Sequence, residues 1–160
     1  MPKATLHLVC GKIGAGKSTL CARLAAEPAT LLISEDHWMA HLYPSELNVL
    51  ADYVRLSARL RAAITSHIVD VLKTGLSVVL DFPANTPGQR AWMRELIDQS
   101  GADHVLHLLD VPDDVCKARL HARNAGGEHP FQTSDEQFDL FTSHYTPPTP
   151  EEGFNLVREA

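Results

Sequence analysis

Short apolar runs that end in glycine or an acid alternate along this chain with longer segments whose apolar residues recur every three or four positions. Leu6 to Cys10 is the first run, and the glycine that follows marks a buried strand feeding a turn. Lys17 to Ala26 has Leu20, Leu24 and Ala25 at helical spacing, with Pro28 closing the segment. Thr30 to Ile33 reads as a second strand running into Ser34-Glu35-Asp36. Between Ser45 and Lys73, Leu47, Leu50, Val54, Leu56, Leu60, Ile64, Ile68 and Leu72 predict one long helix or two shorter ones, with Gly75 as the cap. Ser77 to Asp81 repeats the pattern of an apolar strand ending in an acid.

Farther along, Gln89 to Gln99 reads as a helix and His104 to Asp110 as a fourth strand. Asp113 to Asn124 is the next helix, with Asp113 and Asp114 in the first turn, where the helix dipole favours anions. The polar stretch Ala125 to Thr133 contains Gly126, Gly127 and Pro130 and is expected to act as a lid. Ser134 to Gln137 matches a capping box opening a helix to about Ser143. Pro147, Pro148 and Pro150 then stiffen a connector to a fifth strand over Phe154 to Val157. Strands alternating with helices predict a parallel sheet covered on both faces, with ligands at the carboxyl ends of its strands. One domain is expected over residues 1–160, a length that buries roughly two-thirds of the unfolded surface.

Charge and cysteine usage narrow the partners. A net charge of −6 argues against a broad nucleic-acid footprint, which needs clustered Lys and Arg. Cys10, Cys21 and Cys116 are odd in number and lack ligand spacing, as expected of free thiols in a reducing, cytoplasmic compartment. No apolar run approaches the ~20 residues of a membrane span, and no cleavable signal is visible. His37/His41 and His104/His107 have no third ligand beside them, so neither pair predicts a metal site.

The strongest chemical signal is Gly11-Lys12-Ile13-Gly14-Ala15-Gly16-Lys17-Ser18, which fulfils G-x-x-x-x-G-K-S between a strand and a helix. In that context the backbone N–H groups of Gly11 through Thr19 surround the phosphates of ATP, Lys17 reaches the terminal phosphates and Ser18 ligates Mg²⁺. Asp81, at the end of Val78-Val79-Leu80, is the expected second Mg²⁺ ligand, whereas Asp110 reads as structural. Asp36 stands where a carboxylate could take the proton of an acceptor hydroxyl. Glu35 would face away from it if the strand extends that far. Arg119 and Arg123 share a helical face and are candidates to stabilise a transferring phosphoryl group.

Together these residues resemble the P-loop kinases that include the 5′-hydroxyl kinase domain of polynucleotide kinases, gluconate kinases, zeta toxins and chloramphenicol phosphotransferases. The resemblance runs from Leu6 to about Glu152. It implies an AAA-type, nucleoside-kinase-like P-loop NTPase fold, an α/β/α sandwich with a mostly parallel five-stranded sheet. It also implies Asp36 as the base and Asp81-Phe82-Pro83-Ala84-Asn85 as the site loop after the third strand. Arg119 and Arg123 would lie near the nucleotide phosphates, and base contacts would come from Pro148 to Gly153. Where such kinases often follow the second-strand acid with arginine, this chain has His37, Trp38, Met39, Ala40 and His41. A small organic acceptor is therefore favoured over a polynucleotide, with Tyr43, Tyr53 and Arg55 as acceptor-side candidates. The expected activity is transfer of the γ-phosphate of Mg-ATP to a hydroxyl acceptor; the alternative is a nucleotide-binding or ATPase regulatory module without an acceptor.

Overall fold

Five strands, β1 (Thr5–Gly11), β2 (Thr30–Ser34), β3 (Ser77–Asp81), β4 (Asp103–Leu109) and β5 (Leu156–Glu159), lie side by side in the computed structural model, which describes residues 3–126 and 134–159. All pairings are parallel and the spatial order is β2-β3-β1-β4-β5, so the strand carrying the glycine-rich motif is central. Side chains alternate across each strand, and both faces are apolar. Leu6, Leu8, Val78, Leu80, Leu106 and Leu108 enter one core layer, while Val9, Val79 and Leu109 enter the other.

The helices are α1 (Lys17–Ala25), α2 (Glu35–Leu42), α3 (Leu50–Lys73), α4 (Pro87–Ser100), α5 (Asp113–Gly126) and α6 (Asp135–Ser143). Helix α3 buries Leu56, Leu60, Ile64, Ile68 and Leu72, one residue per turn, against the first layer with Met93, Leu96 and Ile97 of α4. Leu20 and Cys21 of α1, Cys116 and Leu120 of α5 and Phe138 of α6 fill the second. The result is the α/β/α sandwich expected from the sequence, with a sheet that is parallel throughout.

Local chemistry sets the boundaries. Thr86 caps α4 by accepting from the Gln89 N–H at 3.2 Å, and Pro87 takes the first helical position, where its missing N–H costs nothing. Ser134 and Gln137 exchange the two hydrogen bonds of the predicted capping box. Three expectations shift. The long helix begins at Leu50 rather than near Ser45, because Asp52 accepts from the Asn48 and Val49 N–H groups and caps it there. Strand β2 stops at Ser34, whose hydroxyl caps α2, so Glu35 and Asp36 are helical residues instead of strand neighbours. Strand β5 starts at Leu156, while Asn155 is held before it by its N–H to the His104 ring at 3.0 Å.

The lid expected over Ala125 to Thr133 falls mostly outside the described residues; Ala125 and Gly126 are the last residues of α5. Among the described residues, no helix is long and apolar enough to cross a membrane.

Candidate functional site

The carboxyl ends of β1, β2 and β3 converge where the motif leaves the sheet. Two glycines shape this turn. Gly16, at φ 100°, is the N-cap of α1, and Gly14 has φ 82°. A Cβ on Gly14 would also lie 2.7 Å from the Cys116 carbonyl oxygen of α5, so both backbone angle and space demand glycine. The N-terminus of α1 therefore stands open with no side chain capping it, the arrangement in which free N–H groups and the helix dipole attract anions.

Lys17 and Asp81 meet across this opening, Nζ to Oδ1 3.2 Å. Burial alone would lower the Lys17 ammonium, but Asp81 first, then Asp36 and Glu35, outweigh it and hold it above its ordinary value. Lys17 is thus a fixed positive charge. Ser18 and Asp81 line one cavity of about 450 Å³ together with Asp36, Ser34, Leu32, His37, Ala40 and His41. Burial, reinforced by Asp81, pushes the neighbouring Cys21 thiol up to about 12, so it stays protonated and unreactive.

Glu35 and Asp36, adjacent in sequence, have opposite surroundings. Glu35 is 3% exposed and accepts from the Tyr53 hydroxyl at 2.5 Å and the Ser57 hydroxyl at 2.7 Å. Burial pushes its carboxyl above the usual range, with the two hydroxyls opposing the rise. It ties α2 to α3. Asp36 is exposed on the cavity wall. The separation arises from consecutive positions on a helix, about 100° apart, instead of the two faces of a strand.

Helix α5 carries both candidate arginines, and one of them touches the motif. Arg119 donates to the Ala15 carbonyl at 3.0 Å. Burial lowers the Arg123 guanidinium and the charge of Asp36 partly restores it, so these two groups lie within electrostatic reach. The buried Nε of Arg123 has no hydrogen-bond partner among the described residues. Lys12, within the motif, pairs with Asp113 at 2.6 Å and lies 5.5 Å from the Tyr145 ring centroid. Asp110 makes a 3.5 Å contact with Arg158 on the exposed surface.

The acceptor-side candidates are redistributed. Tyr53 serves Glu35, Arg55 pairs with Asp52 at 3.6 Å, Tyr43 packs against the core and Met39 is buried within it. His37 and His41 are the residues of that region that reach the cavity, along with Ala40.

Sequence reasoning passed over one organising residue. Arg90 is 1% exposed and donates from Nε to Glu152 at 2.7 Å and from Nη1 to the Ala84 and Thr146 carbonyls at 2.8 Å each. It fastens the loop after β3 to the 3₁₀ turn Pro150–Glu152, inside the segment expected to meet a nucleotide base. In the same loop Asn85 accepts from the Gly11 N–H at 3.1 Å, tying it to the root of the motif. The available signal was spacing, since Arg90 falls in register with Met93 and Ile97 on the apolar side of α4.

The donor set fits a magnesium-bound nucleotide. It combines an open helix N-terminus, a lysine held charged, and a hydroxyl and a carboxylate facing one cavity. Among the described residues there is no cluster of three or more His, Cys, Asp and Glu able to hold a metal ion.

A family model described as an AAA domain matches residues 6–148. No curated protein matches the sequence. Among solved structures, a putative kinase from Chloroflexus aurantiacus superposes with a TM-score of 0.75 at 21% identity, over 99% of this chain and 86% of that one. The Mycobacterium tuberculosis APS kinase CysC, solved with AMPPNP and APS, matches at 0.62 and 22% identity over 99% and 89%. Kti12 from Chaetomium thermophilum, solved with ADP-AlF3, matches at 0.69 and 16% over 97% and 88%. These likenesses establish a shared P-loop kinase fold.

Proposed function

The chain belongs to the AAA-domain family, and on that premise we propose that it is a phosphotransferase moving the γ-phosphate of Mg-ATP to a hydroxyl of a small-molecule acceptor. The observation that carries this reading is the shared cavity of Ser18, Asp81 and Asp36, opening beside a P-loop lysine. A module that only binds nucleotide has no need of a free carboxylate there. The kinases among the structural neighbours favour the same reading.

In this account Lys17 and the free N–H groups at the N-terminus of α1 bind and orient the phosphates, while the Gly11 N–H, expected among them, is taken by Asn85. Ser18 and Asp81 would hold the magnesium ion, which when bound neutralises phosphate charge. Asp36 takes the acceptor proton as the acceptor oxygen bonds to the γ-phosphorus. The bond from that phosphorus to the β,γ-bridging oxygen breaks, and ADP leaves with its electron pair. In this reading Arg123, within electrostatic reach of Asp36, would offset the charge on the transferring group, while Arg119 steadies the loop through Ala15. Arg90 holds the loop after β3 through the Ala84 carbonyl, and the β2–β3 ladder holds Asp81.

Acceptor-dependent ADP release, measured across hydroxylated metabolites, nucleosides and 5′-hydroxyl oligonucleotides, tests the reading. Stimulation by a small hydroxylated compound is expected. ATP binding with no stimulation by any acceptor would favour the regulatory-module alternative.

A further inference from the structure

Within the phosphotransferase reading, on which this step rests, we infer that the acceptor is an uncharged polyhydroxylated compound recognised by His41 and His37. Besides Ser18 and Asp81, the cavity is lined by Leu32, Ser34, Asp36, His37, Ala40 and His41, with no Lys or Arg among its lining residues. Of the nearby cations, Lys17 pairs with Asp81 and Arg119 donates to the Ala15 carbonyl. Mg-ATP itself adds a net charge of about −2 to a cavity whose charged lining residues are the carboxylates of Asp36 and Asp81. An acceptor bearing a phosphate or carboxylate would enter that field without a counter-ion.

The polar groups on the wall instead ask for hydroxyls. The Nδ1 of His41 lies 2.8 Å from the His37 carbonyl oxygen, and a carbonyl only accepts, so Nδ1 carries the hydrogen. In the neutral ring Nε2 is then a lone-pair acceptor. The two imidazoles stand 4.4 Å apart between centroids at a 44° tilt, which fixes the position of the pair. Ser34 receives the His37 N–H at 3.4 Å, leaving its own hydroxyl hydrogen to donate. Leu32, 41% exposed, and Ala40 supply apolar surface beside these groups. Polar acceptors alternating with apolar patches match a ring or chain that shows both O–H and C–H faces. Asp36 on the same wall would receive the proton of whichever hydroxyl reacts.

Matched acceptor pairs assayed with Mg-ATP test this: a neutral alditol or aldose set against its carboxylate or phosphate derivative. Transfer to the neutral member, with kcat/KM at least ~10-fold above its charged partner, is expected. In His41→Leu the acceptor KM should rise about 10-fold or more while the KM for ATP stays put, and His41→Gln, which keeps a hydrogen-bonding side chain, should recover part of it. Preference for the charged member of each pair, or an acceptor KM unmoved in His41→Leu, overturns the inference and leaves the phosphotransferase reading standing. Transfer to neither member of any pair, despite ATP binding, overturns both.

Discussion

The Lys17 ammonium lies 3.2 Å from Oδ1 of Asp81, joining the loop after β1 to the end of β3 at the mouth of the candidate site. The pair keeps a charged lysine in a largely buried position, so its removal should be felt in function before fold. Lys17→Ala should lower Mg-ATP turnover by ~10²-fold or more, since a fixed charge on the terminal phosphates disappears. Steady-state turnover together with a thermal melt checks this. Undiminished turnover would remove Lys17 from the phosphate site.

Gly14→Ala tests the shape of the same loop. The substitution places a methyl group 2.7 Å from the Cys116 carbonyl in a residue at φ 82°, so α5 must move or the loop must change conformation. Backbone strain of this kind costs of order 1–3 kcal/mol. The expected outcome is weakened nucleotide binding by calorimetry, with a lowered melting temperature. A variant that binds as the parent does would show that α5 does not confine the loop.

The Arg90–Glu152 pair predicts an acid-sensitive strap. Burial alone would raise the Glu152 carboxyl, but hydrogen bonds from Arg90 and from the Thr149 N–H, together with the Arg90 charge, hold it below its ordinary value. A depressed folded-state value contributes stability above the unfolded value of about 4.5, and that contribution is lost as pH falls through the folded value. Denaturant unfolding between pH 6 and about 3 should therefore show a loss of stability that is smaller in Glu152→Gln. Arg90→Leu should cost about 3 kcal/mol near neutral pH, because the buried Ala84 carbonyl, the Thr146 carbonyl and Glu152 lose their donor. Parallel pH profiles in parent and Glu152→Gln would contradict the assignment.

Glu35 is expected to matter for the fold. Glu35→Ala leaves the Tyr53 and Ser57 hydroxyls buried without their acceptor and should cost about 2–4 kcal/mol, while Glu35→Gln, which keeps an accepting oxygen, should cost less. Urea midpoints measure both. Equal stability of Glu35→Ala and the parent would mean that the α2–α3 contact carries no energy.

The sequence made the architecture legible because strand and helix periods differ sharply here. The runs at Leu6, Val78 and Leu106 bury both faces, and α3 repeats an apolar residue every turn. The motif at Gly11 to Ser18 announced its own context. Boundaries were less visible, since Ser34 caps a helix and Asp52 delays one through side-chain hydrogen bonds that carry no periodic signal. The acceptor side was the least legible part. Tyr53 and Arg55 looked like surface chemistry, yet their roles are set by partners distant in sequence or on the same helix turn. Arg90 was missed because a fully buried arginine is identified by the carbonyls it meets, and these lie on a loop 6 and a segment 56 residues away.

Asp36→Asn gives the most direct test of the account, measured as acceptor-dependent phosphoryl transfer alongside ATP affinity in the same preparation. The side chain keeps its size and its place on the cavity wall but can no longer take a proton. Transfer should fall ~10²–10⁴-fold while ATP binds much as in the parent. Transfer at the parental rate would contradict the central claim, because Asp36 would then be a bystander in the cavity that this reading makes catalytic.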